Sequence, residues 1–190
     1  MQRSKSGFII LGVVVLFIFI IGFGIVTSYN NLVVLNEDID GKWSQVENNL
    51  QRRADLIPNL VETVKGYAAQ EQEIFTAIAE ARSKLIGATG VDEAARANDE
   101  LSSALSRLLA LSESYPTLKS NENFIALQDE LAGTENRIAV ARKDYNDAVQ
   151  VYNTKIKRFP TNIIANLFGY NEREYFQADE SSKEVPKVEF

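Results

Sequence analysis

The sequence predicts an all-α protein: a membrane-spanning N-terminal helix followed by an elongated antiparallel four-helix bundle. Three observations carry this. Gly7 to Val26 is an unbroken run of twenty residues without a charged or strongly polar side chain. Beyond it, apolar residues recur at three- and four-residue steps, the period of helices with one buried face. Pro- and Gly-containing breaks separate the stripes. The expected organisation is a basic N-terminal end (1–6), a transmembrane helix (7–26), a helical bundle (32–170) and a charged disordered tail (177–190).

The first run, as a helix rising about 1.5 Å per residue, spans roughly 30 Å, the thickness of a bilayer's hydrocarbon core. A cleaved signal peptide would have an apolar stretch of about 7–15 residues, so this run reads as a retained anchor. Arg3 and Lys5 precede it, whereas Glu37, Asp38 and Asp40 follow against a single Lys42. The basic bias puts the N-terminus in the cytoplasm and the bundle outside, on the periplasmic face of an inner membrane where two membranes exist. Gly7, Gly12, Gly22 and Gly24 form no Gly-x-x-x-Gly pair. Self-association is therefore expected in the bundle rather than in the anchor.

Leu32, Leu35, Ile39, Trp43, Val46 and Leu50 define a first amphipathic helix directly after the anchor. At Asp55-Leu56-Ile57-Pro58 a tight reversal is expected, because Pro58 has no amide proton and disfavours helical geometry at Ile57. A Pro-kinked continuous helix is the alternative. A second stripe runs through Leu60, Val64, Tyr67, Glu71, Ile74, Ile78, Ala81 and Leu85. Gly87, Thr89 and Gly90 interrupt it, with Thr89 and Asp92 spaced as a helix cap. Ala94, Ala97, Leu101, Ala104, Leu105, Leu108 and Leu111 then mark a third, Ala-rich helix.

Pro116 and the polar residues around it open the way to a fourth helix. Here Phe124, Leu131, Ile138, Tyr145, Tyr152 and Phe159 fall at every seventh position, with Leu127, Thr134, Ala141 and Ala148 between them, predicting coiled-coil-like packing. Phe159-Pro160 ends it. Ile163, Ile164, Leu167 and Phe168 suggest a short helix folding back, and also a patch for contact with a partner or a membrane.

Within the stripes, Glu71 occupies a core-facing slot and Arg53 extends the first stripe. A carboxylate in an apolar seam needs a partner, here Arg53, Arg82 or Arg142. Arg52, Arg53, Asp55 and Glu71 are expected to fix the reversal and the register of the bundle. Tyr145-Asn146 and Tyr152-Asn153 repeat at seven residues. Their amides line one flank of the fourth helix, as packing within a bundle or as a seam between copies.

Composition removes several functions. The chain contains no His and no Cys. Ser-His and Cys-His nucleophile pairs, His phosphorelays, disulfides and thiolate metal sites are therefore excluded. No Asp-rich loop has calcium spacing, and the Gly87–Gly90 turn lacks the Lys of a phosphate loop. Setting aside Arg3 and Lys5, 18 basic residues face 26 acidic ones, a net charge near −8. Such a surface repels phosphate backbones, so no nucleic-acid partner is expected. No catalytic residue, cofactor, metal or small-molecule substrate is assigned; a hydrolase would need paired carboxylates in a pocket.

Trp43, Val46, Arg52-Arg53, Asp55-Leu56-Ile57-Pro58-Asn59-Leu60-Val61, Val64, Gly66-Tyr67, Glu71 and Ala81-Arg82 together resemble the signature of the LemA family. Glu135-Asn136-Arg137-Ile138-Ala139-Val140-Ala141-Arg142, Tyr145-Asn146, Tyr152-Asn153 and Phe159-Pro160 are similar to its C-terminal helix. Gln70 stands where the family often has His, which removes any metal or proton role there. The resemblance implies a bacterial single-pass membrane protein with a helical-bundle domain and no established enzymatic activity, some members being associated with membrane organelles. The expected function is a non-enzymatic, self-associating scaffold. An adaptor for a membrane protease or transport protein is the alternative.

Overall fold

The computed structural model describes residues 3–177, with side chains from Leu11 onward. The side chains of the basic N-terminal end and residues 178–190 of the expected tail lie outside the described residues. Among the described residues every regular element is a helix: α1 (Arg3–Lys65), α2 (Gln72–Gly87), α3 (Val91–Ser112), α4 (Pro116–Lys119), α5 (Glu122–Lys157) and α6 (Thr161–Phe168). An extended segment, 170–177, follows α6.

The anchor and the first expected bundle helix are one element, the 63-residue α1. From Leu11 to Val26 its side chains are exposed on every side. A helix apolar all round with nothing packed on it suits lipid and not water, and this stretch is long and apolar enough to cross a membrane.

The chain divides into two compact units. One holds residues 1–40 and 148–173. Buried in it are Leu32 and Ile39 of α1, Val149, Tyr152 and Ile156 of α5, and Thr161, Ile164 and Ala165 of α6. Gly169, at φ +76°, closes α6 in the left-handed conformation natural to glycine, and the Tyr170 N–H donates back to the Ala165 carbonyl at 2.9 Å.

The second unit holds residues 41–147 and the extended segment from Glu174. Val46, Leu50, Ala54, Ile57, Leu60 and Val64 bury one face of α1 with helical spacing. Also buried in this unit are Ile78, Ala81 and Leu85 of α2, Leu101, Leu105 and Leu108 of α3, and Phe124, Ile138 and Tyr145 of α5. Arg53 meets Glu135 while Trp43 meets Tyr145, so rising numbers on α1 face falling numbers on α5 and the two run antiparallel here.

Two local expectations are corrected. The chain does not reverse at Asp55–Pro58: α1 continues through Pro58 to Lys65. Pro58 cannot donate to the Ala54 carbonyl one turn earlier, but Arg82 Nε of α2 does so at 2.8 Å, filling the acceptor that proline leaves open. The reversal comes instead after Lys65, where Tyr67 and Ala68 N–H both bond to the Val64 carbonyl and Gly66 leads the turn. Finally, Thr89 is not paired with Asp92. Its N–H and hydroxyl donate to Glu93 at 2.8 and 3.0 Å, because Gly90, at φ +96°, takes the cap position and moves the box one residue on. These two donors hold the Glu93 carboxyl below the usual carboxylate range.

Candidate functional site

The polar groups within the second unit fall into three places. In the middle, Arg53 is buried, donating to Asn98 Oδ1 at 2.6 Å and pairing with Glu135 at 2.7 Å. Burial lowers its pKa, while the charges of Glu135 and Asp99 act the other way. Three helices thus meet on one guanidinium: α1, α3 and α5. On the rim, Arg52 Nε donates to Glu130 at 3.1 Å and Arg137 approaches the same carboxylate at 3.4 Å. Arg82 reaches the carbonyl of Ala54, the residue after Arg53, as described. Asp55 stays exposed and accepts from Gln51 at 2.9 Å, and Asn59 is exposed with its carbonyl accepting from Thr63.

At the α1–α2 turn, Glu71 is half-buried just before α2 and accepts from the Tyr115 hydroxyl at 3.3 Å; Gln70 donates to that same hydroxyl. This corrects the expected pairing of Glu71 with Arg53, Arg82 or Arg142. The stripe through Val64 and Tyr67 to Glu71 keeps helical spacing, yet the helix stops at Lys65, so Glu71 never enters the core seam. Tyr67 accepts from Asn121 Nδ2 at 3.0 Å, and Asn121 Oδ1 caps α5 by accepting from the Phe124 N–H at 3.0 Å.

The third place is the start of the extended segment. Trp43 stacks tilted on Tyr145 with ring centroids 5.4 Å apart and lies 6.2 Å from Phe176, whose ring also meets the Arg142 guanidinium, 4.5 Å from its centroid. Asn146 grips the Phe176 backbone twice, donating to its carbonyl at 3.0 Å and accepting its N–H at 2.9 Å. The Tyr145 hydroxyl donates to the Glu174 carbonyl at 2.8 Å. Burial, and then the Glu174 charge, push Tyr145 up to about 12.

Within the first unit the same pair of residue types makes the same grip. Asn153 donates to the Arg173 carbonyl at 2.8 Å and accepts its N–H at 2.9 Å, and the Tyr152 hydroxyl donates to the Asn171 carbonyl at 3.0 Å. Arg173 also pairs with Asp40. Both Asn side chains are therefore engaged within the chain by the main chain of 171–176. The sequence holds the signal for these clamps, the Tyr-Asn pair repeated at seven; their partner carries no periodic pattern and was not anticipated.

At α6 the patch expected over Ile163, Ile164, Leu167 and Phe168 divides. Ile164 is buried, whereas Ile163, Leu167 and Phe168 are exposed. Among the described residues no three His, Cys, Asp or Glu side chains converge on one point.

The LemA family model matches residues 42–190. The magnetosome proteins MamQ 1 and MamQ 2 of Paramagnetospirillum magneticum are each 33% identical over segments covering 78% of this chain and 64% of theirs. Protein LemA of Metamycoplasma hominis is 28% identical, covering 80% of this chain and 69% of its own. The chain thus spans just under two thirds of the MamQ relatives' length. None of these names is that of an enzyme.

Proposed function

This chain belongs to the LemA family, and from that premise we propose that it is a non-enzymatic, membrane-anchored scaffold that organises its membrane by self-association through its helical domain. The observation that carries this is α1, in which the exposed apolar run and the core stripe from Val46 to Val64 belong to one uninterrupted helix. No Gly/Ser-rich linker separates the two stretches within α1. The polar side chains singled out by the sequence support the same reading, because they bond to one another or to backbone in structural roles. The likeness to magnetosome proteins supports a role at a membrane. The N-terminus is cytoplasmic and the bundle extracytoplasmic in this reading, in a bacterial inner membrane.

The test is the mass and shape of the full-length protein extracted gently from its membrane, by light scattering and then electron imaging of the same peak. A homo-oligomer of defined size supports the scaffold. A monomer, or a stoichiometric complex with another membrane protein, refutes it in favour of an adaptor, a reading that the exposed apolar side chains of α6 would also serve. For sidedness, a Cys at the exposed Ser103 in this cysteine-free chain should react with a membrane-impermeant maleimide added outside the inner membrane.

A further inference from the structure

We propose that α6 is an interfacial helix, lying against the headgroup region of the leaflet from which α1 emerges, so that the protein touches its membrane twice. This rests on the reading of the apolar run of α1 as a transmembrane anchor.

Within the first unit the Phe168 ring packs on Tyr29, centroids 4.8 Å apart, and the Tyr170 ring lies 6.1 Å from Tyr29. Tyr29 is three residues beyond Val26, the last residue of the apolar run, so about 4.5 Å of helix separates it from the hydrocarbon edge. The polar zone of a bilayer is roughly 5–7 Å deep on each side. Through this ring contact, the C-terminal end of α6 is held at that depth.

The composition of α6 fits the place. Thr161, Ile164 and Ala165 are buried against the rest of the unit, while Ile163 and Leu167, one helical turn apart, are 58% and 73% exposed. Phe168 is 51% exposed, and Phe159, just before the helix, is 80% exposed. No charged residue occurs in Thr161–Phe168. Lys157 and Arg158 stand immediately before it, Lys157 paired with Glu172 at 2.7 Å and Arg158 exposed. An apolar face, basic residues at its edge and two tyrosines beside the anchor's end form the pattern of a helix lying in a membrane interface. With Phe168 held against Tyr29 beside the end of a bilayer-spanning run, the exposed apolar side chains of α6 have the lipid itself as the adjoining apolar phase.

The chain lacks cysteine, so nitroxide labels can be placed singly on the full-length protein. Ile163→Cys and Leu167→Cys, both at exposed positions, are labelled and reconstituted into vesicles of phosphatidylethanolamine and phosphatidylglycerol in a 3:1 ratio. Collision with oxygen, which partitions into lipid, is then compared with collision with an aqueous nickel chelate. Ile18→Cys in the apolar run and Val140→Cys, 61% exposed on α5, serve as references. The expected result is an oxygen-to-nickel ratio at 163 and 167 several-fold above that at 140 and below that at 18. If 163 and 167 match 140 while 18 reports lipid, α6 is in water and the inference fails, although the anchor stands. Low accessibility to both reagents at 163 and 167 means that protein covers the face, from a second copy or another partner, and also overturns it. An aqueous signal at 18 refutes the anchored reading itself.

Discussion

If Arg82 exists to complete the hydrogen bonding of a proline-containing helix, its importance should vanish when the proline does. Arg82→Met keeps the length and apolar stem of the side chain but removes the Nε donor, leaving the Ala54 carbonyl without its 2.8 Å partner. An unsatisfied buried acceptor costs about 1–3 kcal/mol, so a loss of about 2 kcal/mol is expected in the native background. Pro58→Ala supplies an N–H at position 58 that can reach the Ala54 carbonyl along the helix. Proline in a helix interior costs about 3 kcal/mol, Arg82 already offsets part of that, and the stiffer unfolded chain returns about 0.4–1, so Pro58→Ala should stabilise by about 1–2 kcal/mol. In that background Arg82→Met should cost less than about 1 kcal/mol. The assay is urea unfolding of the full-length protein in detergent, followed by far-ultraviolet circular dichroism, for the four members of the double-mutant cycle. A coupling of at least about 1 kcal/mol is expected. If the Arg82→Met loss is equal in both backgrounds, Arg82 acts elsewhere and the account of the uninterrupted helix is wrong.

Further outcomes follow from the other polar groups. Asn146→Leu leaves both backbone groups of Phe176 unpaired and should raise amide exchange at Phe176 about 10- to 100-fold, corresponding to about 1.4–3 kcal/mol of local opening. Asn153→Leu should do the same at Arg173, and exchange at native rates would show that the grips carry no stability. Tyr145 titrates in the folded state near 12, above its ordinary value of 10. The folded state therefore holds this proton more tightly than the unfolded chain: its contribution is complete below pH 10, declines between pH 10 and 12 by at most about 1.4 kcal/mol per pH unit, and is absent above. Tyr145→Phe should flatten that alkaline decline in an unfolding series. Glu135→Gln leaves the buried Arg53 charge with a neutral partner and should cost about 1–2 kcal/mol by urea unfolding, less than for a fully buried pair because Glu135 is itself half-exposed. Glu71→Gln, whose only change is at a half-exposed acceptor of the Tyr115 hydroxyl, should cost less than about 1 kcal/mol in the same assay.

What the sequence disclosed follows the reach of each physical signal. The apolar run and the stripes at Val46–Leu50, Ile78–Leu85, Leu101–Leu108 and Phe124–Tyr152 are periodic and local, and the helices stand where that period places them. Pro58 misleads because a proline's effect depends on whether another donor reaches the freed carbonyl. That donor lies 28 residues away from Ala54 in the sequence. The run from Val64 to Glu71 misleads differently. Its spacing continues the helical period across a turn, and Gly66, the single residue that marks the break, is a weaker signal than the stripe. Glu71 consequently lost its assigned seam, and with it the expected arginine partners. Arg53 was legible as a charge needing company and Glu135 only as part of the C-terminal motif; their meeting depends on α1 and α5 running antiparallel. Of the seventh-position ladder, Phe124, Ile138, Tyr145 and Tyr152 are buried, whereas Phe159 is exposed beyond the helix end. The Tyr-Asn repeat was visible, but hydrogen bonds to a main chain leave no trace in the composition of the segment that receives them.

That last point bears on how the segment can change over time. Asn153 and Asn146 engage the N–H and carbonyl of Arg173 and Phe176, and Tyr152 and Tyr145 engage the carbonyls of Asn171 and Glu174. Each of those groups is present in nearly every amino acid. A helix advances about as far in seven residues as an extended chain does in three, so a donor pair recurring every seventh residue suits an extended partner of almost any sequence. Mutational drift at 171, 172, 174 and 175 should therefore be largely invisible to selection on folding. At 173 and 176 one residue type alone is barred on backbone grounds: proline, which has no N–H to offer.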